Sequence, residues 1–271
     1  MNYFLTCVAI LFSCNVFTQS YNGKILDRET GKAIPYVNIG LLKKGDGFTS
    51  DLNGNYRFNP VFANATDTLM FSCIGYKVFF INAYDLLKDT SKIVYLDKLP
   101  LNNNSPKPLS GKFILKEYGH TSQSSLADLF ILDVPAAEHG AIISFKKPAV
   151  LQTIVCNMAQ LDTDSIYCRI NIYKQTGNMQ FENILEKPLY LIASKKDFND
   201  RLILDVSGEN IWVQGDYLFC IQNLFMENKS RKIALKGSLS GHTYSRYNSS
   251  DPWQKNGLAP AIWTEVKLPA E

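Results

Sequence analysis

Between residues 21 and 99, short runs of alternating apolar and polar residues recur, and turn residues separate them. Seven runs have this pattern: YNGKILD, PYVNIGLL, GFTS, NYRFN, DTLMFSC, YKVFFIN and KIVYLD. A period of two is typical of strands that bury one face. Asn53 and Gly54, between the third and fourth runs, both tolerate positive φ and favour a hairpin turn. The pattern therefore predicts a small sandwich of seven strands, arranged as a meander or a Greek key.

The same region carries a specific combination of turn and strand residues. These are Gly23, Asp27, Gly31, Pro35, the turn at 50–56, and Ile74-Gly75-Tyr76. Together they resemble the carboxypeptidase regulatory-like domain, a transthyretin-like β-sandwich, over residues 21–99. The resemblance implies a module at the N-terminal end of an exported protein, from a Gram-negative bacterium with an elaborate outer membrane.

A second domain follows a change in composition. Residues 100–111 are rich in Asn, Pro and Ser, which leave little to bury, so they predict a linker. In residues 112–271, Cys168, Ile170 and Ile172 alternate with Arg169 and Asn171, which predicts a half-buried strand. The strand order is similar to jelly-roll domains, and a short helix is expected at 124–132. We therefore expect an all-β protein in which the seven-stranded transthyretin-like sandwich precedes a larger jelly-roll-like β-sandwich.

The first twenty residues predict export. Residues 4–17 form a mostly apolar, uncharged stretch, and Thr18, Gln19 and Ser20 follow it. The stretch is shorter than the roughly 18 to 20 residues that a membrane span needs, so residues 1–20 are interpreted as a cleaved signal peptide. The protein would then be periplasmic, outer-membrane-associated or secreted. Two alternatives stay open: a lipid on Cys14, since residues 11–14 resemble a loose lipobox, and a buried first strand.

Four cysteines lie beyond the predicted signal peptide: Cys73, Cys156, Cys168 and Cys220. None of their spacings resembles CxxC, and three of them lie in apolar runs, which favours buried free thiols. A disulfide in an oxidising compartment is the alternative.

Several functions are disfavoured by residue type and spacing. The 28 basic and 25 acidic residues form no long runs, so no nucleic-acid surface is expected. The three histidines, His120, His139 and His242, lack the spacing of a catalytic zinc site. Residues 51–55 lack the length and the distal Glu of a calcium loop, and residues 237–241 do not form a G-x-S-x-G nucleophile elbow. We expect no metal, no cofactor and no enzyme activity.

One enzyme class leaves no local signature. A glycan-active hydrolase needs only two carboxylates at a suitable separation, and these can come from distant strands. The acids available for such a pair are Asp133, Glu138, Asp205 and Glu265. A hydrolase with paired carboxylates is therefore kept as an alternative function.

The leading binding candidates lie in residues 241–263, expected as a loop between late strands. Tyr244, Arg246, Tyr247 and Trp253 combine aromatic faces with a cation and polar neighbours, as a glycan or protein site requires. The alternative is that these aromatic side chains pack into the core or hold the loop in place. Trp212, between Ile211 and Val213, is expected in the core.

Two functions fit these expectations. One is a cell-envelope binding module for a glycan or a protein, and the other is a structural or accessory partner of an outer-membrane complex. A binding module is expected to present Tyr244, Tyr247 and Trp253 on a concave, exposed surface. An accessory partner is expected to bury them and to show an apolar patch or an unpaired edge strand.

Overall fold

The computed structural model describes residues 21–42, 44, 46–58, 64, 66–100, 111–121, 130–131, 134, 136–197, 199–224 and 233–270. The predicted signal peptide and most of the predicted linker lie outside these residues. Most of the helix expected at 124–132 does too, and its two described residues, Phe130 and Ile131, form a strand, so the helix prediction is wrong there. No helix in the described part of the chain is long and apolar enough to span a bilayer.

The first domain is a sandwich of two small sheets. Its elements are β1 (Tyr21–Asp27), β2 (Asn38–Leu41), β3 (Gly47–Thr49), β4 (Asn55–Phe58), β5 (Thr68–Ser72), β6 (Phe79–Asn82), α1 (Ala83–Lys88) and β7 (Ile93–Leu96). One sheet has the order β4-β1-β7, with β1 antiparallel to β4 and parallel to β7. The other is antiparallel and has the order β3-β2-β5-β6. Each of the seven predicted runs contains one of these strands, which confirms the predicted pattern.

The core of this sandwich lies between the two sheets. Ile25, Ile39 and Phe71 are completely buried there, each stabilising the fold by roughly 1.5–3 kcal/mol. The helix α1 also packs on this core through Leu86, and the side chain of Asn82 caps it by accepting a hydrogen bond from the Tyr84 amide. The sequence did not predict α1 because six residues show no sustained helical period.

Asp27 links the first turn of this domain to its last strands. Its carboxylate accepts hydrogen bonds from the Glu29 and Thr30 amides at 2.9 and 2.8 Å and from the Tyr76 hydroxyl at 2.9 Å. The Lys98 ammonium lies 3.2 Å away. These contacts, the Thr30 amide foremost, hold the pKa of Asp27 well below its usual range. Two residues of the sequence motif, Asp27 and Tyr76, therefore form one structural unit.

Asp51 organises the turn between β3 and β4. Its carboxylate accepts hydrogen bonds from the Asn53 and Asn55 amides at 2.8 and 2.7 Å. Gly54 has a φ of +72°, and a Cβ there would lie 2.7 Å from the Ile25 carbonyl oxygen. The Asp51 carboxylate is thus used by the turn itself, as a hairpin requires.

The second domain is a larger two-layer sandwich. Its strands are β8 (Phe113–Gly119), β9 (Phe130–Ile131), β10 (Glu138–Leu161), β11 (Ser165–Gly177), β12 (Gln180–Asn183), β13 (Leu189–Ser194), β14 (Arg201–Asp205), β15 (Trp212–Asn223), β16 (Ile233–Leu235), β17 (Gly237–Arg246), β18 (Gln254–Pro260) and β19 (Ile262–Pro269). The predicted all-β fold, a small sandwich followed by a larger jelly-roll-like one, is confirmed.

The long strand β10 takes part in both layers. Its first half pairs with β15 and β17, and its second half pairs mainly with β14, β19 and β16. The register shifts between Phe145 and Ala149, around Pro148, which has no amide hydrogen to donate. β10 therefore crosses from one layer to the other at this bend, and β11 extends the first layer beyond β15.

The interior between these layers is apolar. Ile154, Ile170, Phe219 and Val266 are at most 1% exposed. Three of the four described cysteines lie within this domain, and the fourth lies in the first sandwich. All four are buried and free: Cys73, Cys156, Cys168 and Cys220. Burial raises the pKa of the Cys156 thiol to about 12, so these residues act as small apolar side chains.

Candidate functional site

Strand β11 is buried on both faces. Ile170 and Ile172 point into the core, as expected from the alternation. Arg169 and Asn171 on the opposite face are also buried, at 1% and 2% exposure. The prediction of a half-buried strand is therefore wrong, because the first sandwich packs over Arg169. A polar strand face that is covered by another domain must find its hydrogen-bond partners inside the protein.

Four polar residues form a row across this sheet. Arg169 on β11 is paired with Gln222 on β15, Gln222 with Glu138 on β10, and Glu138 with Arg246 on β17. Directly paired residues of neighbouring strands point to the same side of a sheet. We call Arg169, Gln222, Glu138 and Arg246 the polar row. Its charges follow the order positive, neutral, negative, positive.

Glu138 is the centre of the row and is completely buried. Its Oε1 accepts hydrogen bonds from Nε and Nη2 of Arg246 at 2.9 and 2.6 Å. Its Oε2 accepts hydrogen bonds from the Tyr173 hydroxyl at 2.7 Å and from the Asn171 amide at 2.9 Å. The carboxylate is thus satisfied by four donors, as a buried charge requires.

Arg246 is held by aromatic rings as well as by Glu138. Its guanidinium carbon lies 4.3 Å from the centre of the Trp253 ring and 5.3 Å from that of Tyr173. Trp253 meets Tyr173 and Phe181 edge to face, at 5.4 and 5.5 Å between ring centres. Burial lowers the pKa of Arg246, but the negative charge of Glu138 raises it by more. The pKa is therefore raised overall, and this guanidinium stays charged.

Arg169 connects the row to the first sandwich. Its guanidinium donates to the Asn38 side-chain oxygen at 2.7 Å and to the Tyr36 carbonyl at 2.9 Å. It also donates twice to Gln222 Oε1, at 3.0 and 2.6 Å. Gln222 Nε2 in turn donates to Asn38 at 2.9 Å. Arg169 forms no ion pair with a described carboxylate, so neutral oxygens from two domains solvate it.

Small residues bring the two sandwiches into close contact. Gly40 and Gly47 lie against Asn248, which is completely buried after β17. A Cβ at Gly40 would lie 2.6 Å from Asn248 Oδ1, and one at Gly47 would lie 2.4 Å from Asn248 Cβ. The Ser72 and Ser249 hydroxyls are 2.8 Å apart across the same contact. Only glycine permits this approach of β2 and β3 to the second domain.

A cleft of about 300 Å³ lies between the sandwiches, beside the polar row. We call it the polar cleft. Among its lining residues are Arg169, Asn171, Asn183, Arg246, Ser72 and Ser249, with Val78 and Leu99 among the apolar ones. Val78 and Leu99 are both 49% exposed. Two arginines, Arg169 and Arg246, line the cleft, and Glu138 pairs with Arg246 from outside the lining, so one positive charge of the row is left without a counter-charge.

The structure places the predicted site residues in different surroundings. The expected loop at 241–263 is largely the hairpin of β17 and β18 and the start of β19. Tyr244 is 7% exposed and packs on Phe181, while Arg246 stacks on the half-buried Trp253. Tyr247 is 54% exposed. Ligand binding by these residues stays a prediction, and Arg246 is the one of them that lines the polar cleft.

Sequence reasoning missed most of the row. Glu138 was predicted only as one acid of a hydrolase pair. Arg169 and Asn171 were predicted on the solvent-facing side of a strand. The available signal was the string CRINIY, in which an arginine and an asparagine alternate with core residues directly before Tyr173. That pattern cannot distinguish a solvent-facing strand face from one that another domain covers.

The described candidate acids for a hydrolase lie in two separate places. Glu138 lies in the polar row, while Asp205 and Glu265 lie on either side of Thr153 in the other layer. Asp133 lies outside the described residues. Within the described ranges, no three His, Cys, Asp or Glu side chains cluster as metal ligands.

Comparison with known proteins identifies the first domain. Residues 21–97 match the family of the CarboxypepD_reg-like domain, which confirms the resemblance seen in the sequence. No curated protein matches the chain.

Three solved structures are similar to the whole chain at low identity. The cysteine protease and lectin-like domains of Cwp84, a surface layer associated protein of Clostridium difficile, match with a TM-score of 0.39 and 9% identity over 86% of this chain. This chain spans 59% of that one. A provisionally assigned carbohydrate binding protein from Bacteroides uniformis matches with a TM-score of 0.22 and 14% identity, over 93% of this chain and 98% of that one. Carbohydrate-binding modules of the β-sandwich superfamily match with a TM-score of 0.17 and 10% identity, over 89% of this chain and 93% of that one. At these TM-scores the likenesses assign no function.

Proposed function

We propose that this protein is an exported, non-catalytic binding protein of the cell envelope that holds a short acidic glycan in the polar cleft. The observation that carries this proposal is the charge of the polar row, in which Arg169 and Arg246 face a single carboxylate, Glu138. A buried excess of one positive charge, next to a cleft, favours a ligand with one negative group.

Arg246 is the residue that would contact the ligand charge. Its guanidinium has five N–H groups, and four of them donate to Glu138, Tyr173 and the Ser249 carbonyl. One Nη1 hydrogen has no hydrogen-bond partner among the described residues, and Arg246 lines the cleft. The Trp253 ring and Glu138 fix the guanidinium plane, so little side-chain entropy is lost on binding.

The other walls suit a sugar. Ser72, Ser249 and Asn183 bring hydroxyl and amide groups to the cleft, and Val78 and Leu99 supply apolar contacts for the C–H face of a ring. The volume of about 300 Å³ is at the small end of the range of ligand sites. We therefore expect one or two sugar rings, one of which carries a carboxylate.

The groups around the cleft support binding rather than catalysis. Both oxygens of Glu138 are occupied by donors, so this carboxylate is a poor general base. Burial raises the pKa of Cys73, which lines the cleft, so its sulfur stays a thiol and not a nucleophilic thiolate.

The export part of the proposal depends on residues 1–20 and on the module that follows them. Intact-mass analysis and N-terminal sequencing of the protein from its own host test it. A start near Gln19 or Tyr21 without lipid supports a soluble exported protein. A diacyl or triacyl mass on Cys14 supports a membrane-tethered one, and an uncleaved Met1 contradicts export.

Calorimetric titration with sugars tests the binding site. Galacturonic acid oligomers of one to three units are expected to bind at least tenfold more tightly than the matching galactose oligomers, since the latter lack the charge. The Val78→Trp variant fills the cleft and is expected to abolish binding, whereas Leu239→Trp, at a position that is 75% exposed and outside the cleft, leaves it unchanged. Equal binding of acidic and neutral sugars, or binding that survives Val78→Trp, contradicts the proposal.

A second candidate function is favoured by strand β8. Phe113, Ile114 and Leu115 are 48, 52 and 55% exposed, and β8 pairs with β19 on one side only within the described residues. An apolar edge strand of this kind is a template for another chain, as in an accessory subunit of an envelope complex. In that case Leu115→Lys is expected to reduce the size of the native complex in detergent extracts of the host envelope. An unchanged size contradicts this function.

A further inference from the structure

A second, larger cleft lies between the two sandwiches, away from the polar row. It has a volume of about 870 Å³. Strands β1 and β4 and the turn after β3 form most of it, and Tyr167 on β11 and Leu224 after β15 close it from the second domain. The Thr49 hydroxyl donates to the Leu224 carbonyl at 2.9 Å and ties the two domains together here. We call it the apolar cleft.

Most of the surface inside this cleft is apolar, and aliphatic side chains and aromatic rings supply it. They include Phe48, Leu52, Tyr56, Ile93, Tyr167 and Leu224. Leu52, at its rim, is 65% exposed, which leaves a large apolar side chain in water. The Tyr56 ring packs over Gly23, where a Cβ would lie 2.4 Å from the ring carbon Cζ. Gly23, one of the motif residues of the first domain, therefore makes room for one of the aromatic walls.

Three cations surround this apolar interior. Lys24, Arg57 and Lys92 line the cleft and are exposed. None of them forms an ion pair with a described residue. The single acid of the lining, Asp51, already accepts hydrogen bonds from Asn53 and Asn55. The lining thus carries an excess of two positive charges, all of it at the rim.

We infer that the apolar cleft binds a free long-chain carboxylic acid. An apolar interior takes an alkyl chain, and a cationic rim takes the carboxylate at the end of that chain, so charge and polarity match such a ligand at both ends. The volume of about 870 Å³ lies in the upper part of the usual range for small-molecule sites, so the cleft has room for a long alkyl chain. This site does not depend on the proposed glycan site, because the two clefts have no lining residue in common. A hydrogen bond from Arg169, which lines the polar cleft, to the carbonyl of Tyr36, which lines the apolar cleft, connects them.

Calorimetric titration with decanoate and 1-decanol below their aggregation concentrations tests the inference. The two probes have the same chain and differ in charge. Decanoate is expected to bind saturably and about tenfold more tightly than decanol, a difference of the size that a few partly exposed charge contacts give. The triple variant Lys24→Glu, Arg57→Glu, Lys92→Glu is expected to remove this preference.

Two matched controls distinguish binding in the cleft from effects of net charge and from non-specific hydrophobic binding. The triple variant Lys32→Glu, Lys77→Glu, Lys88→Glu changes the net charge equally at exposed positions outside the cleft and is expected to keep the preference. Leu52→Ser is expected to weaken the binding of both probes severalfold. Leu239→Ser, at another exposed leucine, is expected to leave the binding of both unchanged.

Three results would overturn the inference. One is the absence of saturable decanoate binding, and another is equal binding of acid and alcohol. The third is binding to anionic phosphatidylglycerol vesicles without binding to decanoate, which would assign the basic rim to a membrane surface instead.

Discussion

The two arginines of the polar row are stabilised in opposite ways. Arg246 lies against the carboxylate of Glu138 and the ring of Trp253, all within the second sandwich. Arg169 lies against the neutral oxygens of Gln222 and of Asn38, and Asn38 belongs to the first sandwich. One cation is therefore part of the fold of a single domain, and the other is satisfied only when both domains are in place.

This difference separates folding from domain assembly. A buried ion pair that is complete within one domain forms with that domain. A buried cation that needs acceptors from a second domain favours the docked arrangement, because undocking would leave donors without partners unless water replaced them. The hydrogen bonds of Arg169 thus favour the arrangement in which the two sandwiches are in contact.

The largest effect is expected from Glu138→Ala. This change leaves the largely enclosed Arg246 without its counter-charge and removes the acceptor of Tyr173 and Asn171. Breaking a buried pair on one side costs about 3–5 kcal/mol in the free energy of unfolding. Urea unfolding measures it, with Glu265→Ala, at a half-buried position in the other layer, as the control. A loss below about 1 kcal/mol would show that the Glu138–Arg246 pair is not a structural element.

A smaller and different effect is expected from Arg169→Met. It removes the Arg169 donor to the Tyr36 carbonyl and one of the two donors to Asn38 Oδ1, but it also removes a buried charge, so we expect a loss of about 2–3 kcal/mol. Because the contact joins two domains, the single unfolding transition should split into two, as followed by tryptophan fluorescence and by circular dichroism. One transition with an unchanged midpoint would contradict the assignment of Arg169 to domain docking.

The sequence allowed the first sandwich to be predicted almost completely. Its turns depend on local chemistry, such as the Asp51 carboxylate and the positive φ of Gly54, and such chemistry is visible in neighbouring residues. The polar row could not be predicted in this way. Glu138, Gln222 and Arg246 are far apart in the chain, and only the register of β10, β15 and β17 brings them together.

A moderate effect is expected from Asn38→Ala. It removes one oxygen that accepts from both Arg169 and Gln222, at a cost of about 1–2 kcal/mol. A double-mutant cycle with Arg169→Met should show that the two losses are not additive, since both changes break the same contact. Additive losses would mean that Asn38 and Arg169 do not act together across the domain boundary.

The smallest effect is a change of stability with pH at Asp27, a buried carboxylate of the first sandwich. Its pKa is lowered in the folded protein, mainly by the Thr30 amide, so its stabilising contribution is present above the unfolded pKa of about 3.9. That contribution is lost as the pH falls below this value toward the folded pKa. The gap in urea midpoint between the wild type and Asp27→Asn should therefore narrow from pH 7 to pH 2.5. A gap that does not change would contradict the lowered pKa.

The most direct test of the account is a nuclear magnetic resonance titration of the arginine side chains. In ¹⁵N-labelled protein, galacturonic acid is expected to shift the Nε–H signal of Arg246 more than that of Arg169, because the Arg246 side chain is 12% exposed whereas Arg169 is almost completely buried. Galactose at the same concentration should shift neither. If galacturonic acid leaves the Arg246 signal unchanged, or if the shifts fall only around the exposed Tyr247, the polar cleft is not the ligand site.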